Sequence, residues 1–122
     1  MKKIFATSVM SLIAASSSAL AVDHVSITND TNQVISLAAM QVGICARGIP
    51  PHQTGTVRGE NIKILCNRYE HDCIGDMFAS DDCTGLPVAR IHVDVENGVY
   101  QIDNYGPFDI THTADHIIFK NK

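Results

Sequence analysis

Ala89, Ile91, Val93 and Val95 alternate with Arg90, His92 and Asp94, and Glu96-Asn97-Gly98 follows at once. Apolar residues at every second position press one side of an extended strand against a core and leave the other side wet. An Asn-Gly pair supplies the positive φ that a tight turn demands, so Val99 to Ile102 is expected to run back alongside. This hairpin points to an antiparallel sheet, and the rest of the chain repeats the period of two. Val25 and Ile27 alternate with His24, Ser26 and Thr28. Val34 to Leu37, Gly43 to Cys45, Thr56 to Arg58, Ile62 to Cys66, Ile74 to Ala79, Phe108 to Ile110 and His116 to Lys120 are further short strand candidates. Asn29-Asp30-Thr31-Asn32 and Asn104-Tyr105-Gly106-Pro107 are turn clusters, and polar Asn67 to Asp72 suits a turn better than a helix. No stretch combines helical periodicity with capping signals. Roughly eight to ten short strands, with turn signals every 8–12 residues, predict an all-β fold: a small antiparallel β-sandwich or barrel.

The N-terminus has a different character. Lys2 and Lys3 precede an apolar run from Ile4 to Ala15, then Ser16-Ser17-Ser18 and Ala19-Leu20-Ala21. A positive start, a short apolar core and a small-x-small exit describe a secretory signal peptide of bacterial type. The run is too short to cross about 30 Å of hydrocarbon as an anchor. Residues 1–21 are therefore expected to be a signal peptide. Residues 22–122 are expected to be a single exported β domain, periplasmic or secreted, with no membrane span.

Export decides how the cysteines are read. Cys45, Cys66, Cys73 and Cys83 all fall in the exported part, and an even count in a domain of this size implies disulfides. Four cysteines allow three connectivities. Cys45–Cys66 with Cys73–Cys83 is the favoured one, because each pair brackets a turn-rich segment. In the chain-entropy model each bridge is worth about 3 kcal/mol. All 13 acidic residues lie in the exported part with seven of the nine basic ones, giving −6 against −4 for the whole chain. Without a Lys/Arg cluster, the chain is a poor match for nucleic acid or an anionic membrane.

Motifs that carry chemistry are sparse. His112 and His116 with Asp115, helped by His92 or His52, are the candidate metal ligands, since imidazole suits zinc and copper. Their four-residue spacing suits a helix face, whereas Thr111 to Asp115 looks like a strand end and a turn. Cys66, His71 and Cys73 would resemble a zinc set only in a reducing compartment. Asp76, Asp81 and Asp82 lack the alternating oxygens of a calcium loop. There is no Gly-x-Ser-x-Gly elbow, His-Glu-x-x-His or phosphate-cradling glycine loop. No cofactor and no catalytic residue are expected. Arg90, His92 and Asp94 share the wet face of their strand and form a candidate binding surface. Stiff Pro50-Pro51 is a second one, or simply a loop crossing between sheets. The Asn29-Asp30-Thr31 sequon is read as turn chemistry.

The segment from Cys73 to Gly98, Cys-Ile-Gly-Asp-Met-Phe-Ala-Ser-Asp-Asp-Cys-Thr-Gly-Leu-Pro-Val-Ala-Arg-Ile-His-Val-Asp-Val-Glu-Asn-Gly, resembles small exported proteins of gammaproteobacteria. The resemblance implies a disulfide-bonded β domain outside the cytosol and no particular activity. The Ser-Gly-x-x-Tyr pattern of periplasmic lysozyme inhibitors is absent, with only Asn97-Gly98-Val99-Tyr100 nearby. The expected function is a non-enzymatic binding or interaction domain with a protein or small-molecule partner. The alternatives are a histidine-based metal-binding protein and a small hydrolase or hydrolase inhibitor.

Overall fold

A computed structural model of the protein describes residues 23–39 and 43–122. The signal-peptide segment lies outside these described residues. In chain order the elements are β1 (His24–Asp30), β2 (Ile35–Ala39), β3 (Ile44–Ile49), β4 (Gln53–Arg58), α1 (Gly59–Leu65), β5 (Cys73–Phe78), β6 (Ala89–Asp94), β7 (Gly98–Asn104), β8 (Phe108–His112) and β9 (His116–Asn121). They form a four-stranded sheet of order β4-β1-β9-β8 and a five-stranded sheet of order β3-β2-β5-β6-β7. Among the described residues both sheets keep free edge strands, so the fold is a sandwich and not a closed barrel.

The inner faces make one core. Val25, Ile27, Phe108, Ile117 and Phe119 from the smaller sheet cluster with Ile35, Met77, Ala89, Ile91, Val93 and Val99 from the larger. In β1 and β6 buried and wetter residues alternate strictly, as the period of two requires. Ile117 and Phe119 of the last strand are fully buried, and the Phe119 ring meets Phe108 edge-on at 6.2 Å.

One pairing departs from the antiparallel expectation. The last strand, β9, lies parallel to the first, β1, with Ile117 opposite Ile27, while its other neighbour β8 is antiparallel. A parallel pair needs a long crossover. Here almost the whole domain serves as that crossover, so no local pattern announces it.

The segment 59–66 is a correction. Ile62 to Cys66 is predicted as a strand, but Gly59–Leu65 forms a short helix. Ile62 and Cys66 are buried and Leu65 is half-buried, a spacing of three and four that faces one side of a helix. Arg58 provides no side-chain cap, which is why no capping signal is visible. The helix closes one end of the sandwich as the chain returns from β4 to β5.

The disulfides form, but with other partners than Cys45–Cys66 and Cys73–Cys83. Cys45 bonds Cys83 and Cys66 bonds Cys73, with Cα–Cα distances of 6.0 and 5.4 Å. After β5 the chain returns across the outer face of the larger sheet, where the Cys83 amide donates to Ser36 Oγ at 3.0 Å. That path carries Cys83 to edge strand β3. Cys66 ends α1 at the far end, beside the start of β5. Sheet order differs from chain order, so proximity along the chain misled the pairing.

The turn after β1 behaves as expected. Asn29 is fully buried; its Nδ2 donates to the carbonyls of Gln33 (2.6 Å) and Ile49 (2.8 Å), and its Oδ1 accepts from the Thr31 amide and hydroxyl. Both amide hydrogens are engaged, so the sequon is structural.

Candidate functional site

The outer face of β6 carries Arg90, His92 and Asp94 in a row, as its alternation predicts, and all three are half-buried. The strand sits between β5 and β7, and the register sets each residue's neighbours. Arg90 lies opposite Asp76 on β5 and Asp103 on β7; His92 lies opposite Ile74 and Gln101. The register slips between His92 and Val93, leaving Tyr100 as the extra residue of a bulge in β7. The bulge leaves Tyr100 and Gln101 both exposed, and brings the Tyr100 ring centroid to 5.9 Å from that of His92.

His92 is the centre of the cluster. Its Nδ1 lies 2.9 Å from Asp72 Oδ1 and its Nε2 lies 2.9 Å from Asp103 Oδ2. An ionised carboxylate only accepts hydrogen bonds, so a ring held between two of them donates from both nitrogens and is an imidazolium. Burial alone pushes the His92 pKa down; the hydrogen bonds to Asp103 and Asp72, with their charges, outweigh it and hold it above the ordinary value. The carboxylates respond in kind. Asp72 is lowered, first by the Tyr100 hydroxyl donating at 2.7 Å and then by His92. Asp103 is lowered by His92 and then by Gln101, whose Nε2 donates at 2.8 Å. Tyr100, donating to an anion, is pushed up to about 12.

The flanking residues are engaged too. Arg90 meets Asp76 in a two-pronged pair, Nε to Oδ1 at 2.8 Å and Nη2 to Oδ2 at 3.2 Å. Asp76 is only 3% exposed, so this partner is what makes a carboxylate tolerable there. Asp94 accepts from the Glu96 amide at 2.9 Å, the main cause of its lowered pKa, and so fixes the β6–β7 turn. In that turn Gly98 takes the positive φ of 90°.

The other candidates are dispersed. The β8–β9 register pairs His112 with Ile117, which points inward, so adjacent His116 points to the opposite face. There the His116 Nε2 lies 2.7 Å from Thr28 Oγ1. Asp115 is exposed and accepts from Thr113 Oγ1 at 3.2 Å. His52, past the prolines, lies 3.0 Å from Asp30. Among the described residues no three His, Cys, Asp or Glu side chains gather as a metal-holding group. Asp81 accepts from the Gly48 amide and Asp82 from the Thr84 hydroxyl, apart from the Asp76–Arg90 pair. Pro50 and Pro51 span the step from β3 in the larger sheet to β4 in the smaller one, as a crossing loop would.

Asp72, Tyr100 and Asp103 are the residues that sequence reasoning missed, and it weighs Asp76 only for calcium, not as the partner of Arg90. Asp103 and Gln101 follow from folding β7 back on β6, but the bulge shifts the register by one, and nothing in the alternation signals it. Asp72 arrives from a loop 20 positions away. An apolar space of about 60 Å³ lies beneath α1, bordered by Val25, Leu37, Ile62, Cys66, Gly75 and Ile91. Ligand pockets usually run to about 300–1,000 Å³, so this one is a packing gap.

No family model and no curated protein matches the sequence. The fold is similar to the crystal structure of the Legionella pneumophila type II secretion system substrate NttC. The TM-score is 0.65 at 10% identity, covering 82% of this chain and 98% of that one. At that identity the likeness is one of fold. Among the described residues no helix is long and apolar enough to cross a membrane.

Proposed function

We propose that this chain is an exported protein that works by binding a partner rather than by turnover. The observation that carries the reading is the seat of His92, with a carboxylate 2.9 Å from each ring nitrogen. Held between Asp72 and Asp103, its imidazolium has no lone pair with which to take a proton from a substrate. The partner surface is the outer face of β6 and β7, with Arg90, His92 and Asp94 as the charged row and Tyr100 and Tyr105 exposed beside it. Tyrosine and arginine are the residue types enriched where proteins meet. Export is supported by the signal-like N-terminus, by two disulfides and by the fold shared with a type II secretion substrate. On this reading the domain folds and oxidises in the periplasm and then crosses the outer membrane.

Two measurements test the proposal. The protein is expected in the culture medium of cells with an intact type II system and in the periplasm of cells lacking it. A reduced protein retained in the cytosol overturns export. The purified protein is expected to be inert in a hydrolase panel; turnover that disappears in His92→Ala overturns the binding role.

A further inference from the structure

Residues 67–72 link α1 to β5 and are exposed at every position. With no buried side chain of its own, this loop is held to the sheet by its closing disulfide and by polar contacts. Cys66 and Cys73 close the loop and are themselves buried, at 3% and 6% exposure. The Val95 amide donates to the Glu70 carbonyl at 2.7 Å, and His71 Nδ1 lies 3.5 Å from Asp94 Oδ2. Asp72 is the remaining anchor. It receives the Tyr100 hydroxyl and the His92 ring on the same oxygen, at 2.7 and 2.9 Å.

We propose that His92 is a pH-operated latch: its doubly protonated ring clips the 67–72 loop to β6 and β7, and loss of one ring proton releases that loop. The argument is one of donors. A neutral imidazole keeps a single N–H and presents a lone pair at the other nitrogen. Whichever carboxylate faces that lone pair, Asp72 or Asp103, loses the ring as a donor and meets electron density instead. Asp103 is fixed in strand β7 and keeps Gln101 as a partner. Asp72 keeps the Tyr100 hydroxyl, but it belongs to a loop without buried side chains, so the loop is the element that gives way.

The groups around the ring set the direction. Asp72 faces it from the loop, and Asp103, Gln101 and Tyr100 from β7. Arg90 and Asp94 flank it on β6, and Ile74 lies opposite it on β5. The charge of Arg90 is matched by Asp76 behind it. The remaining acids around His92 favour the imidazolium, which agrees with its pKa standing above the ordinary imidazole value of 6.5. A group raised on folding stabilises fully below its unfolded pKa and loses that contribution as pH rises through the folded one. Asp72 and Asp103 are lowered, so their contribution is present above the ordinary carboxylate value of 3.8 and fails only in stronger acid. The latch therefore holds in mild acid and opens as pH rises through the raised folded value of His92. It shares with the proposed function the doubly protonated His92 ring, but it requires no partner, and the exchange readout below tests it apart from any binding or turnover.

The test is amide exchange and ring NMR on the oxidised domain of residues 22–122, from roughly pH 5.5 to 9, where histidine titrates. The readout is the protection factor, after correction for intrinsic exchange, of the Asp72 amide (bonded to Tyr69 O) and the Val95 amide (bonded to Glu70 O). Protection of both is expected to fall as the His92 ring deprotonates, by about tenfold for each unit by which its folded pKa exceeds the unfolded one. In His92→Asn the low value is expected at every pH. In Asp103→Asn, which keeps the Asp72 contact, the midpoint is expected to move to lower pH. Loop protection that stays flat while the wild-type ring titrates overturns the latch. So does a ring that is already neutral at about pH 6, below the unperturbed midpoint.

Discussion

Replacing Asn29 with aspartate changes one atom type in the most heavily used side chain of the core. Its amide nitrogen donates to two carbonyls, Gln33 O at 2.6 Å and Ile49 O at 2.8 Å, and the residue has no solvent exposure. Ile49 ends β3 of the larger sheet, whereas Asn29 lies in β1 of the smaller, so this amide ties the two layers together. In Asn29→Asp an oxygen faces both carbonyls. The half-buried Ile49 carbonyl loses this donor at about 1–3 kcal/mol, whereas the Gln33 carbonyl, on an exposed residue, keeps the Thr31 hydroxyl at 3.1 Å, so the change costs about 1–3 kcal/mol before any oxygen–oxygen repulsion. A domain of this size holds only about 5–15 kcal/mol in total. At about 4–8 °C per kcal/mol, Tm should fall by at least about 4 °C in circular-dichroism melts at neutral pH. The introduced carboxyl is penalised when ionised, so its folded pKa is raised. Its protonated form donates one hydrogen bond, and part of the loss should return as pH falls towards about 4. A Tm within about 3 °C of the parent at neutral pH would refute the reasoning.

Three further outcomes follow from the packing and the cross-links. Phe119→Ala removes a fully buried ring from the strand that joins β1 to β8, and chemical denaturation should show a loss of about 3–5 kcal/mol. Non-reducing peptide mapping should find Cys45–Cys83 and Cys66–Cys73, whose sequence separations of 38 and 7 make them worth about 3.9 and about 2.4 kcal/mol in the chain-entropy model. Removing the first pair should therefore lower the denaturation midpoint more than removing the second; the reverse order would contradict the loop argument. In Gly75→Ala the new methyl sits 2.8 Å from Leu37 Cδ1 and 3.3 Å from Ile91 Cγ1, a clash at a side-chain tip. Leu37 borders the 60 Å³ cavity and has room to swing, so the loss should be near about 1 kcal/mol, the low end for overpacking. A loss above about 3 kcal/mol in the melt would mean Leu37 cannot move.

The wet row Arg90, His92 and Asp94 was legible because alternation is a property of the strand alone, whatever packs beside it. The same holds for the turn at Asn29-Asp30-Thr31 and for Gly98, whose positive φ belongs to one residue. What each row member touches was not legible. His92 finds Asp72 from a disulfide-closed loop and Asp103 from across a bulge, and both depend on register. The helix at 59–65 escaped because it is short, lacks a side-chain cap and shows its period over barely two turns. That His112 and His116 face opposite ways was not legible either, since one residue of offset in a strand turns a side chain to the other side.

By itself, then, the sequence determined the class of fold, the wet and dry faces of β6 and the oxidised use of all four cysteines. Those follow from local stereochemistry, hydrophobic period and composition, which act within a few residues. The tertiary structure alone decided which cysteines pair, that β9 inserts parallel to β1, and that two carboxylates close on one histidine. Each of these is a meeting between segments far apart in the chain, fixed only once two sheets have buried their apolar faces against each other.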